Sequence, residues 1–394
     1  MRRFLGSVVA VGCVFVCGTV VAAEGDSAAV PLGPIQAYPS VGLALKSDDN
    51  IFMSNANKKS STIEVLSPIV KLVAQNRDDI YGLTYRADLG RYSSSSADNY
   101  NDQSLVGKAD IVASTRAAFR LQPEYLLQHD PRGSTYGAGT AVPNRWREAG
   151  ISGVFYYGSE GAKGRVEVAA GYHATKYLNN RNLTVAYDKK ITDLGGTFFY
   201  RVMPKTSLLF EAKNSKIAYD LAGSTLNSNQ RDLLVGAKWE ATAKTTGDFR
   251  IGQVQKKYDS GTRSSFTGMG WNGLVQWDAK PYSRVTLDLS RMPVETTLAG
   301  SNFIWTTSST ADWAYDWNDR ITSHLSYNQY SEDFKGLGLG TKTNNYGMGV
   351  DYRMRRWLKT SLNWANSVKT VNQAAYSNFN YDRNIVMLTL IGTL

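Results

Sequence analysis

From Pro39 to its end the chain repeats one pattern: short segments in which apolar and polar residues alternate, separated by turn-forming residues. In Leu358-Lys359-Thr360-Ser361-Leu362-Asn363-Trp364 one face carries Leu358, Thr360, Leu362 and Trp364, and the other carries Lys359, Ser361 and Asn363. Val285, Leu287 and Leu289 alternate with Thr286, Asp288 and Ser290, while Met269, Trp271, Val275 and Trp277 alternate with Asn272, Gln276 and Asp278. A period of two belongs to the β-strand, whose successive side chains point to opposite faces. About eighteen such segments follow one another, the first near 39–47 and the last near 382–394.

The connections sort by parity. Even-numbered segments are followed by tight links, among them Gln75-Asn76-Arg77, Met203-Pro204-Lys205 and Arg355-Arg356. Odd-numbered segments are followed by longer polar stretches, such as Ser93 to Asp102, Asp130 to Asn144, Tyr177 to Lys190 and Val368 to Tyr381. A soluble sandwich has no reason to do this. A transmembrane barrel does, because its turns are short on the periplasmic side and its loops longer outside. A spanning strand needs only about 9–11 residues, with every second one apolar. The sequence therefore predicts an all-β fold: an antiparallel up-and-down transmembrane β-barrel over residues 39–394, with both termini on the periplasmic side.

The N-terminus supports export. Met1-Arg2-Arg3 is followed by an apolar run from Phe4 to Val21, broken only by Gly, Ser and Thr, and then by Val21-Ala22-Ala23. This reads as a cleaved signal peptide over residues 1–23, with 24–38 as a short irregular periplasmic leader. Both cysteines, Cys13 and Cys17, fall inside the removed segment, so no disulfide is available to the mature chain. Cleavage would leave 42 basic against 34 acidic side chains. The predicted location is the outer membrane of a Gram-negative bacterium.

In segment 302–315 Phe303 and Trp305 stand at one end of the apolar face and Trp313 and Tyr315 at the other, around Thr307, Ser309 and Ala311. Such flanking aromatics suit the two membrane interfaces, where a ring is half buried and its polar tip stays wet. Val386, Leu388, Leu390, Gly392 and Leu394 alternate to the last residue, as a strand that must close a sheet in lipid would, although the terminal residue is leucine where an aromatic is usual.

If the apolar faces meet lipid, the polar faces line the lumen. The residues so placed include Arg86, Asp88, Lys108, Arg116, Arg120, Glu124, Arg165, Glu167, Lys213, Lys238, Asp351, Arg353 and Lys359. Eighteen strands enclose an interior too wide for side chains to fill. The mixed charge, with its basic excess, points to hydrated or anionic cargo.

Several short motifs carry a family resemblance. Asp48-Asp49-Asn50-Ile51-Phe52 ends the first segment, Ser61-Thr62-Ile63 and Leu66-Ser67-Pro68 follow, and Asp98-Asn99, Arg132-Gly133 and Tyr381-Asp382-Arg383-Asn384 come later. With these the chain resembles the outer-membrane family called putative β-barrel porin type 2. The resemblance implies a conduit for a secreted exopolysaccharide or capsule, working with a periplasmic polysaccharide export protein. Outer-membrane lipid and lipopolysaccharide would surround it. A porin passing small polar or anionic solutes is the alternative. Asp48, Asp49 and Asn50 also offer oxygens of the kind Ca²⁺ takes, but three adjacent side chains do not make a site alone.

An outer-membrane enzyme is the remaining class. The histidines are His129, His173 and His324, with His129 beside Asp130 at the start of the longest loop. No nucleophile–base spacing stands out, no two histidines lie close in sequence, and no strand–loop–helix surrounds Gly336, Gly338 and Gly340. The reading is a channel without covalent chemistry, without cofactor or metal, and without nucleic-acid partners. No loop is conspicuously long or apolar, so no plug is evident, yet an open conduit would need a gate.

Overall fold

The computed structural model describes residues 29–393, except 135–138, 160, 243 and 297. The expected signal peptide and Leu394 lie outside the described residues. Between them one antiparallel sheet closes on itself. A short strand β1 (Val30–Leu32) turns at Gly33 into β2 (Ile35–Asp48). Then follow β3 (Ser61–Asn76), β4 (Asp79–Tyr92), β5 (Tyr100–Val112), β6 (Ala117–Asp130), β7 (Asn144–Tyr157), β8 (Gly164–Tyr177), β9 (Lys189–Met203) and β10 (Thr206–Tyr219). The circuit continues through β11 (Ser228–Thr242), β12 (Thr245–Tyr258), β13 (Phe266–Lys280), β14 (Ser283–Val294), β15 (Phe303–Asp316), β16 (Ile321–Lys335), β17 (Leu339–Arg355), β18 (Leu358–Val371) and β19 (Tyr381–Thr393). From β2 onward each strand pairs with the next, and β19 returns to β2, giving eighteen barrel strands among the described residues. Each expected segment has become a strand, and the first starts earlier than expected: Ile35 to Tyr38, assigned to an irregular leader, pair with β3.

Tight turns and longer loops alternate as the sequence parity predicts, except that β16 and β17 run on toward each other and meet in the short turn 336–338. Pro204-Lys205, Pro281-Tyr282 and Arg356-Trp357 each join a hairpin in two residues, whereas residues 49–60, 131–143 and 178–188 connect the opposite ends. A strand of 14 residues, such as β2 or β4, tilted by ~40°, climbs about 35 Å, against an apolar band of ~25 Å. The strand ends at the loop side therefore stand clear of lipid and carry polar structure. Along the band the faces separate cleanly. Leu43 and Leu45 on β2, Leu83 and Tyr85 on β4, and Leu388 and Leu390 on β19 are exposed on the outer wall, while Ala44, Lys46, Arg86 and Thr389 alternate with them and point inward.

Aromatic placement divides at β15. Trp313 is exposed on the outer wall near the tight turns, edge-on to Tyr315. Phe303 and Trp305, expected at the opposite interface, are instead buried. The pairing of β13 with β14 stops at Trp271↔Arg291, while β13 runs on to Phe266 beside β12 and β14 runs on to Val294 beside β15. Phe266 packs against Phe303 and Trp305 with centroids 5.1 and 5.0 Å apart. Alternation along one strand does not reveal where two neighbouring strands part, so the expected interfacial placement fails for these two rings.

Candidate functional site

The lumen wall is built from ion pairs within strands and between neighbouring ones. On β4 the Arg86 guanidinium donates to both oxygens of Asp88 at 2.7 and 2.9 Å, and Ser67 on β3 donates to the same carboxylate. On β5 Asp110 accepts from Lys108 at 3.0 Å and from Arg120 of β6 at 2.6 Å. Arg165 and Glu167 pair on β8 at 2.9 Å. Lys213 of β10 reaches Asp193 of β9 at 3.2 Å, and Arg250 of β12 spans β11 to Glu211 at 2.8 Å. Across the barrel Asp351 takes Lys359 at 2.8 Å and His324 at 3.0 Å. Glu124 lies 3.2 Å from His173.

Sequence alternation thus places most of its lumen residues together on one inner wall. Lys238 lies half-buried on the inward face of β11, and Arg353 sits at the turn end, where its guanidinium donates to the Asp319 carbonyl. Arg116 does not line the lumen: it is exposed in the β5–β6 turn, where its carbonyl accepts the Gly158 N–H. The turn there takes up the residue that a longer strand would have placed inside.

The wall is wet in the middle. The Lys108 and Lys213 side chains keep 48% and 41% of their surface exposed although both pair with carboxylates. Toward the loop end the interior fills. Lys256 of β12 is fully buried, and its ammonium bonds to Glu295 just beyond β14, which also accepts from the Tyr219 hydroxyl at 2.7 Å. Burial alone would push the Glu295 carboxyl up, but the Lys256 ammonium and the bonds from Lys256 and Tyr219 outweigh it and hold the group below the usual range. Beside it Ile304, Phe334 and Leu339 form a buried cluster covered by Leu298, Leu337, Val371 and Tyr376. Residues of the β14–β15, β16–β17 and β18–β19 loops therefore pack together at the loop end of the wall. Nothing in the sequence announces this, because each loop contributes only one or two of the apolar residues.

The motif residues scattered along the chain meet at the same end. Arg383 on β19 and Asp48 on β2 form a buried pair across the closing seam, with Nε 3.0 Å from Oδ1. Asp49 accepts from the backbone N–H and the side chain of Asn384 at 2.7 and 3.0 Å. Asn50 donates to the Asp382 and Ser54 carbonyls, both at 2.9 Å. The three oxygen-bearing residues considered for a cation are thus committed to the seam. Next to it the Arg132 guanidinium lies 4.5 Å over the Phe52 ring and donates through Nε to Asp98 at 2.7 Å. Burial raises the Asp98 carboxyl, but the Arg132 bond outweighs it and leaves it below its ordinary value. Gly133 has φ +84°, and a Cβ there would stand 1.7 Å from the Phe52 carbonyl oxygen. Only glycine lets the third loop lie on the first.

The histidines are placed apart. His129 stacks on Tyr100 at 4.4 Å and holds Asp102 at 2.9 Å, while neighbouring Asp130 accepts from Trp146 and Tyr177. No two of them share a site.

No curated protein matches the chain. Among solved structures it is similar to Pseudomonas aeruginosa OccK2 (OpdF), with 14% identity, a TM-score of 0.53, and 91% of this chain and 98% of that one covered. A BenF-like porin from Pseudomonas fluorescens Pf-5 gives 13%, 0.52, 91% and 99%. Pseudomonas aeruginosa OpdK, solved with vanillate, gives 13%, 0.50, 91% and 99%. At such identities the likeness establishes a shared eighteen-strand outer-membrane barrel fold. The sequence profile of the family Putative beta-barrel porin 2 matches residues 25–393, and this chain belongs to that family.

Proposed function

We propose that the protein is an outer-membrane channel through which small polar, mainly anionic solutes diffuse, without covalent chemistry. The observation that carries this reading is the wall of ion pairs with partly exposed cations, Lys108 and Lys213 foremost. Fixed charges on a hydrated wall give repeated weak contacts to a passing carboxylate, and weak contacts let it leave again. The similar folds support the same class: OccK2 is known in complex with glucuronate and OpdK with vanillate.

This reading takes the place of the polysaccharide conduit expected from the family resemblance. Among the similar folds are a BenF-like porin and barrels solved with the small carboxylates glucuronate and vanillate, and none of these three is described as passing a polymer. The test is conductance of the refolded protein in a planar bilayer with glucuronate, vanillate or an acidic oligosaccharide added. Concentration-dependent current noise or block with the small carboxylates, and anion preference in a salt gradient, are expected. Block by oligosaccharide alone would restore the conduit.

A further inference from the structure

We propose that Glu124, Glu148 and His173 form a lumenal site for a divalent transition-metal ion of the zinc type. They come from three adjacent strands, β6, β7 and β8, and the pairing explains how they meet. Glu124 is opposite Gly150, and Gly150 is opposite His173, so the three stand in one row with the glycine in the middle. A Cβ on Gly150 would lie 2.4 Å from His173 Nδ1. The missing side chain is therefore the space through which the imidazole and the Glu124 carboxylate approach each other across a whole strand. Glu148, two residues before Gly150, closes the third side.

The spacing fits an ion. His173 Nδ1 lies 3.2 Å from Glu124 Oε1 and 3.7 Å from Glu148 Oε1, and one ligand atom from each residue falls within 4.8 Å of the others. Ligands held at ~2.1 Å around a tetrahedral ion stand about 3.4 Å apart. Two further features point the same way. The second oxygen of Glu148 accepts a 2.6 Å bond from Thr175 Oγ1, the outer support that orients a ligating carboxylate. His173 Nδ1 is screened from solvent and finds no aligned hydrogen bond among the described residues, although two carboxylates face it. Two carboxylates and a neutral imidazole carry the charge that a divalent ion cancels. The nitrogen ligand favours zinc-like ions over Mg²⁺ and Ca²⁺, which take oxygen. Three protein ligands leave a fourth position open to the lumen.

The experiment is calorimetric titration of the untagged, detergent-solubilised barrel with Zn²⁺ and, separately, Mg²⁺. One Zn²⁺ per barrel at micromolar affinity is expected, with Mg²⁺ at least a hundredfold weaker. His173→Gln and Glu148→Gln each weaken Zn²⁺ at least tenfold, and Gly150→Ala weakens it by crowding the imidazole. Equal Zn²⁺ affinity in His173→Gln overturns the site, since the ion then binds elsewhere. If the variants do not fold, the native protein still decides: Co²⁺ must give the intense visible bands of a tetrahedral nitrogen–oxygen site. Their absence means that His173 is held only as an ion pair, and the proposal fails.

Discussion

Asp48 and Arg383 lie 335 positions apart, and each reads in the sequence as one more charge in a polar strand end. Neither the pairing nor its burial was legible, because alternation tells which face a residue occupies and not which strand stands opposite. The motifs around them are visible as short runs of polar residues, but their common purpose, closing the seam, appears only when β19 meets β2. Truncating one partner leaves the other charged and buried, which typically costs about 3–5 kcal/mol. Arg383→Ala should therefore lower the unfolding midpoint of the refolded barrel markedly, and a shift indistinguishable from that of an exposed Lys257→Ala control would refute the role. Asp98 makes a pH prediction. Its folded pKa is depressed by Arg132, so its contribution is present above the ordinary aspartate value of ~3.9 and is lost as pH falls through the lower folded value. At neutral pH the latch is intact, and Asp98→Asn should speed trypsin cleavage after Arg132 several-fold. Unchanged cleavage would show that Gly133 and Phe52 hold the loop without the ion pair.

At the scale of elements, the strands were the most readable part of the chain. A two-residue period repeated eighteen times leaves little freedom, since a slip of one residue would turn every lipid-facing side chain inward. The loops were the least readable. Glu295, Leu298, Leu337 and Tyr376 come from three separate loops, and nothing in any one loop shows that they pack together. The Lys256–Glu295–Tyr219 cluster anchors the first of these loops to the wall. Glu295→Gln removes the counter-charge of a buried lysine, so the loop should loosen. The expected result is larger and noisier single-channel current than in the native barrel, with strand content by circular dichroism unchanged. Identical current traces would mean that this loop does not limit the pore.

For the whole molecule, the charges that face water set the direction of preference. Replacing both Lys108 and Lys213 by glutamine should reduce anion preference, read as a reversal potential moving toward zero in a salt gradient, while the open conductance changes little. No movement would place selectivity at the mouth and not along the wall. The closed sheet has a further consequence for how it is made. Seventeen of the strand joints link chain neighbours and can form as hairpins. The eighteenth brings together segments separated by nearly the full chain. Closure entropy grows as the logarithm of loop length, so joining ends some 335 residues apart costs about 3 kcal/mol more than forming a hairpin of ~15. Until that joint forms, the sheet keeps two open edges exposed to its neighbours. The buried arginine and aspartate at its upper end are matched only in the correct register, so the joint with the highest closure cost carries its own register check.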